Sequence, residues 1–125
     1  MVKGIPGPGA SKETETAVTI ENSTSHAGGG VLTTPSMIGL MEAASRLLMD
    51  QYLEEGEASV GYHVDVKHLA AAPVGSKVKV RSTLREMDER KAIFDVEALG
   101  EDGRTVGKGM HERRIVHTSR FGRAT

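Results

Sequence analysis

Apolar residues crowd one stretch of the chain, VLTTPSMIGLMEAASRLLMDQY from Val31 to Tyr52, and thin into strict alternation after it. Within that stretch Ile38, Leu40, Met41, Ala44, Leu47, Leu48 and Met49 cover far more than a narrow stripe, which predicts a helix enclosed by protein rather than one lying on a surface. Thr34 suits the N-cap through its hydroxyl, and Pro35 suits the first helical position, where a missing N–H costs nothing. The charged residues Glu42, Arg46 and Asp50 are spaced by four and share one side of the rod. The plain reading of Glu42 followed by Arg46 is a solvated ion pair contributing a few tenths of a kcal/mol.

Beyond the helix the period changes to two. From Ala58 to Ala70, Val60, Tyr62, Val64 and Val66 fall on one face, with His68 continuing it toward the core and His63, Asp65 and Lys67 on the other side. Ala72-Pro73-Val74-Gly75 reads as a turn. Two strands follow, Lys77 to Met87 alternating through Val78, Val80, Ser82 and Leu84, and Lys91 to Leu99 alternating through Ala92, Phe94, Val96 and Ala98. Turns at Asp88-Glu89-Arg90 and Gly100 to Gly103 separate them from each other and from a last strand, Thr105 to Thr118. Ahead of the helix, Thr14, Thr16, Val18 and Ile20 mark a short first strand, and NSTSHAGGG from Asn22 to Gly30 reads as a mobile loop able to cover a pocket. Residues 1–13 are expected to be a flexible tail, 14–118 a single domain and 119–125 a second tail. The element order implies an α+β fold, an antiparallel five-stranded sheet wrapped around one central helix. One curved sheet cannot enclose so apolar a helix, so a homodimer or a dimer of dimers is expected.

Composition removes whole classes of function. A chain of 125 residues is long enough for one core. With 16 Lys and Arg against 17 Asp and Glu the net charge is -1, so no global basic field draws it to nucleic acid or to a membrane. The absence of cysteine excludes disulfides, thiolate metal sites and a cysteine nucleophile. The opening MVKGIPGPGASKETE has no apolar h-region, and no run approaches the roughly 18 apolar residues of a membrane span, so a cytoplasmic location is the simplest expectation. His63 near Asp65 and His111 beside Glu112 raise the question of a metal, but no third ligand is evident, and neither metal nor cofactor is expected.

Three runs carry a resemblance: TTPSMIGLMEAAS, EGEASVGYHVDVKHLAAAPVG and GKGMHERRIVH. Together they resemble the fluoroacetyl-CoA thioesterase family of hotdog-fold enzymes, over about Thr33 to His117. The resemblance implies a hotdog fold and hydrolysis of an acyl-CoA substrate, with Thr34, Glu42 and His68 matching the family's catalytic group. It also implies that Gly61 places the acyl group and that Arg113 matches the arginine of the family's HER motif. Members selecting fluoroacetyl-CoA carry phenylalanines as a lid over the acyl group. Here the corresponding stretch is Ala27-Gly28-Gly29-Gly30, and no aromatic residue lies between Met1 and Tyr52. The small residues Ala43 and Ala44 point the same way, to room for more than a two-carbon acyl group.

The chemistry asks for an attacking group, a base and oxyanion donors. Glu42 and His68 are the acid/base candidates, and Thr34 is nucleophile or positioning group. Amides of Ser36 or Met37, at the positive end of the helix dipole, are candidate oxyanion donors. Eight residues of helix span roughly 12 Å, so Thr34 and Glu42 of one helix meet only through substrate or across a subunit interface. Against these stand plain readings: Thr34 as a cap alone, His68 as a satisfied core histidine, Arg113 and Arg114 as surface charges. Arg120 and Arg123 suit CoA phosphates or a solvated tail equally. The functional alternatives are a non-catalytic acyl-CoA-binding module and, less favoured, an enoyl-CoA hydratase, which would carry its acid in a loop after a strand.

Overall fold

The computed structural model describes residues 4, 7–24 and 29–120. Helix α1 (Thr34–Asp50) packs on a five-stranded antiparallel sheet formed by β1 (Ser11–Ala17), β2 (Glu57–His68), β3 (Lys77–Met87), β4 (Lys91–Gly100) and β5 (Thr105–His117). The strands lie in the order β1-β3-β4-β5-β2, which leaves β1 and β2 as the two edges. Both hairpins are held by an aspartate: Asp88 Oδ1 accepts from the amides of Arg90 and Lys91 at 2.7 and 3.0 Å, and Asp102 Oδ1 accepts from that of Arg104 at 2.9 Å.

Alternation in β3 and β4 reads as expected. Val78, Val80, Leu84, Ala92, Phe94, Val96 and Ala98 are buried against Met37, Met41, Ala44, Leu48 and Met49 of α1. Ser82, on the same buried face, bonds Ser45 of the helix at 2.7 Å, and Ser45 also donates to the Met41 carbonyl, so neither hydroxyl is left bare in the core.

Several boundaries and faces differ from expectation. β1 starts at Ser11, so Ser11 to Glu13, expected in the tail, pair with Thr83 to Arg81 of β3. Ile20 is no strand residue; it opens a 3-10 turn (Ile20–Asn22) and is exposed. In the single chain α1 is covered on one side only: Gly39, Arg46, Leu47 and Asp50 are exposed. The stretch ahead of the helix is tied at its ends by the Thr24 amide to the Val31 carbonyl at 2.8 Å, and by Gly30, whose φ of +86° and close approach to the Thr24 carbonyl admit no side chain. Ala27 and Gly28 of the expected loop, and Arg123 of the C-terminal tail, lie outside the described residues.

The consequential difference is in β2. A register shift between Gly61 and His63 sets Gly61 opposite Arg113 and His63 opposite Glu112. This bulge breaks the parity that put Val60 and Tyr62 on the face of Val64, Val66 and His68. Val60 and Tyr62 are instead exposed, at 44% and 62%, and Arg114 stacks over the Tyr62 ring at 3.8 Å. Gly61 turns toward the helix in their place.

Candidate active site

Two clusters form along α1, one at its N-terminus and one two turns further on. At the first, the threonine pair divides the work. Thr33, not Thr34, is the N-cap: its Oγ1 accepts from the Ser36 amide at 3.2 Å and donates to the Ser36 hydroxyl at 2.8 Å. Thr34 occupies the first helical position, and its hydroxyl is left to meet Nδ1 of His68 at 2.8 Å. His68 faces the helix side from the end of β2, as parity after the bulge requires, while His63 is exposed on the other face.

Nε2 of His68 is buried and has no hydrogen-bond partner among the described residues, an unsatisfied group of the kind that costs about 1–3 kcal/mol. A pocket of about 580 Å³ opens between the residues ahead of the helix and the end of β2, lined by Thr24, Val31, Leu32, Thr34, Pro35 and His68 among others. A hollow of similar volume on the outer face of the sheet is lined by Lys67, Lys108, Asp65, Asp95 and Glu97, away from these groups.

The second cluster surrounds Glu42, which is half-buried. The ion pair expected between Glu42 and Arg46 is not formed: Arg46 pairs with Asp50 at 3.1 Å on the exposed side. Glu42 turns instead to the place the bulge clears. A Cβ on Gly61 would come within 2.6 Å of its Oε2, 3.5 Å of the His111 ring and 3.8 Å of an Arg113 terminal nitrogen.

Arg113 is 5% exposed. Its Nε donates to the Ser59 hydroxyl at 2.8 Å, Nη2 to the Ser59 carbonyl at 3.0 Å and Nη1 to Nε2 of His111 at 3.3 Å. Burial pushes the Arg113 pKa down, and the negative charge of Glu42 opposes that shift. His111, also buried, is held below the ordinary imidazole range chiefly by desolvation; the His63 carbonyl works against the shift, the Arg113 charge adds to it, and Glu42 again opposes it.

The chain thus brings Thr34 to His68 and, separately, Glu42 to Gly61 and Arg113. Among the described residues no hydrogen bond joins Glu42 to Thr34 or His68. The Ser36 amide is directed to Thr33, as is that of Met37, which bonds the Thr33 carbonyl at 3.0 Å, so both expected oxyanion donors are engaged by the cap. Met37 itself is fully buried, its thioether lying on Gly107, the partner of His68 across β2 and β5. Sequence reasoning missed Ser59 and weighed His111 only as a metal ligand. For His111 the signal was present, since Gly107, Gly109, His111 and Arg113 share one parity in β5.

Residues 12–119 match the family model described as fluoroacetyl-CoA-specific thioesterase. The chain belongs to this family. It is 41% identical over 92 residues to the fluoroacetyl-CoA thioesterase of Streptantibioticus cattleyicolor, a match covering 73% of this chain and 65% of that protein. Among solved structures, the fluoroacetyl-CoA thioesterase FlK superposes with a TM-score of 0.86 at 31% identity, covering 94% of this chain and 93% of that one. A phenylalanine-to-alanine variant of FlK, solved in complex with fluoroacetate and CoA, gives 0.84 at 31% identity over 93% of this chain and 99% of that one. The fold is accordingly the hotdog fold. Among the described residues no helix is long and apolar enough to cross a membrane.

Proposed function

We propose that the chain hydrolyses an acyl-CoA thioester to the free acid and CoA, with Thr34, His68 and Glu42 as the catalytic group. The observation that carries this reading is the 2.8 Å contact between the Thr34 hydroxyl and His68 Nδ1, beside a pocket at the helix N-terminus. A hydroxyl within hydrogen-bond reach of an imidazole is the pairing nucleophilic catalysis needs. Family membership and the CoA bound by the FlK variant support acyl-CoA as the substrate class.

His68 takes the Thr34 proton as the hydroxyl oxygen attacks the thioester carbonyl. The C–S bond breaks, and the thiolate of CoA leaves with the proton from the imidazole. Glu42 then takes a proton from the water that attacks the threonyl ester, and that proton returns to the Thr34 oxygen as the acid departs. With the Ser36 and Met37 amides turned to the cap, the first-turn amide of Thr34 becomes the oxyanion donor at the positive helix end. Ser36 keeps a hydroxyl hydrogen for substrate, and Met37, buried on Gly107, packs behind His68 rather than touching substrate. Gly61 and Arg113 receive the acyl end beside Glu42.

Glu42 stands roughly 12 Å along the helix from Thr34, too far for one helix to close the cycle alone. Edge strand β2 is 12 residues long and bears the exposed apolar residues Val60 and Tyr62, with Leu69 just beyond its end. An open edge of this length pairs with another strand unless blocked. A homodimer, alone or as half of a dimer of dimers, that joins β2 to β2 brings Glu42 of one copy toward the Thr34 and His68 pair of the other.

The test is thiol release from a panel running from acetyl- and fluoroacetyl-CoA to long-chain and aryl-CoA. Thr34→Ala, His68→Ala and Glu42→Gln each lower kcat by about 10²- to 10⁴-fold while circular dichroism stays native. An acyl-CoA that raises the melting temperature of the wild type without releasing thiol would instead identify a non-catalytic acyl-CoA-binding module.

A further inference from the structure

Directly behind Arg113 lies a histidine that the proposed reaction does not use. His111 is 1% exposed, flanked across the sheet by Phe94 of β4 and Val64 of β2. Its Nδ1 lies 3.0 Å from the His63 carbonyl, which is presented at the β2 bulge. A carbonyl only accepts, so Nδ1 carries the proton, and Nε2 is left as a lone pair. Arg113 only donates, and its Nη1 lies 3.3 Å from that lone pair. The two partners therefore select one tautomer between them.

Ser59 grips the guanidinium along one edge through Nε and Nη2, and His111 holds the remaining terminal nitrogen. A planar group held by three nitrogens has no rotation left, and its free N–H bonds are fixed in direction. That direction matters because the guanidinium and Glu42 approach each other over the bare Cα of Gly61.

We propose that His111 is a positioning residue which, hung from the bulge carbonyl of His63, sets the Arg113 guanidinium against Glu42 and the acyl end of the substrate. The inference rests on the thioesterase reading for what Arg113 does, though not for how Arg113 is held. It also explains why the bulge and the histidine occur together, since the extra residue in β2 both turns Gly61 inward and places the His63 carbonyl over Nδ1.

Protonation dismantles the arrangement. Imidazolium has no lone pair, so Nε2 becomes a donor facing a donor, with two positive charges side by side. The charged and titratable groups facing His111 are Arg113 on its own strand, which opposes protonation, and Glu42 on α1, which favours it; β2 presents the His63 carbonyl, and Phe94 and Val64 bring no charge. Burial outweighs the Glu42 charge and the His63 carbonyl and keeps the ring neutral at pH 7.

The experiment compares His111→Leu with His111→Gln, whose carbonyl oxygen restores an acceptor near the Nε2 position and does not titrate. Two readouts are taken: kcat/KM for the best acyl-CoA of the panel across the acid limb, and ¹⁵N spectra of the His111 ring and the Arg113 Nε–H in the full chain. We expect His111→Leu to lose about tenfold or more in kcat/KM, the scale of a hydrogen bond to a charged group. His111→Gln recovers most of that loss and moves the acid limb to lower pH. In the spectra the wild type shows a protonated Nδ1 and a slowly exchanging Arg113 Nε–H, and His111→Leu loses that protection.

Equal activity and equal pH profiles for the two variants would reduce His111 to packing and overturn the proposal, as would an Nε2-protonated ring. A wild type that releases no thiol sinks the thioesterase reading alone, because the nitrogen spectra still decide whether His111 holds Arg113.

Discussion

Arg113 and Arg114 are the same residue type one position apart on β5, yet they live on opposite faces of the sheet under opposite physical rules. Arg114 lies outside, over the Tyr62 ring, with Nε 2.7 Å from the Glu112 carboxylate and its side chain 36% exposed. Water reaches that pair from the Arg114 side, although the Glu112 side chain is only 10% exposed, and a charge so open to solvent is largely screened. Arg113 lies inside, where the cost of removing a guanidinium from water runs to several kcal/mol and is offset only by partners of good geometry. Ser59 and His111 supply them through three hydrogen bonds, and the charge of Glu42 acts from further off. An inner-face charge is thus held by a network and constrains its neighbours, whereas an outer-face charge decorates the surface.

The contrast is broken most directly by removing each arginine in turn. Arg113→Ala should destabilise by on the order of 3 kcal/mol, since it leaves Ser59 and His111 without their donor and removes the positive charge nearest Glu42. Arg114→Ala should cost clearly less. Urea unfolding monitored by circular dichroism measures both, and equal costs would show that burial does not separate the two faces.

A smaller effect is expected at Gly61. Gly61→Ala puts a methyl 2.6 Å from Glu42 Oε2, so either the carboxylate or the bulge must move. Overpacking of this kind costs about 1–3 kcal/mol, and the same displacement should lower thiol release more than it lowers stability. At Val60, one position earlier and facing outward, no carboxylate is crowded, so replacement by Ala should cost less in both than Gly61→Ala.

The smallest effect is a dependence on pH that belongs to the inner face alone. The folded His111 pKa lies below the ordinary 6.5, so the unfolded chain binds the proton first. Stability therefore falls as pH drops below about 6.5 and continues to fall until the folded pKa is passed, at up to about 1.4 kcal/mol per pH unit. Asp88 and Glu57, whose carboxyls are lowered mainly by backbone amides, lose their contributions only as pH falls past their ordinary values near 3.8 and 4.5. The two windows are separate. Thermal melts of wild type and His111→Gln between about pH 7 and 5 isolate the histidine, and an unchanged slope in the variant would assign the loss elsewhere.

The helix shows how far periodicity alone reaches. Its dense apolar positions located α1, and Pro35 located its start within one residue. Which of two adjacent threonines would cap it was not legible. Thr33 and Thr34 have the same propensity, and the choice rests on His68, 34 positions away, which engages one hydroxyl and leaves the cap to the other. The same limit applies to Glu42. Its spacing to Arg46 was right for a pair, but a cation and a cleared space on the sheet drew it away, and Arg46 took Asp50.

By itself, then, the sequence determined the features that follow from local period and from turn chemistry. These are one helix, five strands along the chain, the buried faces of β3 and β4, the inward His68 and the two hairpin turns. It determined the family as well, through the three runs that resemble it. Tertiary structure alone decided where alternation fails. A bulge adds a residue to one strand without marking it in composition, because the mismatch exists only between β2 and its neighbour β5. That single shift sent Val60 and Tyr62 to the outside, turned Gly61 toward Glu42 and gave His111 a carbonyl to hang from.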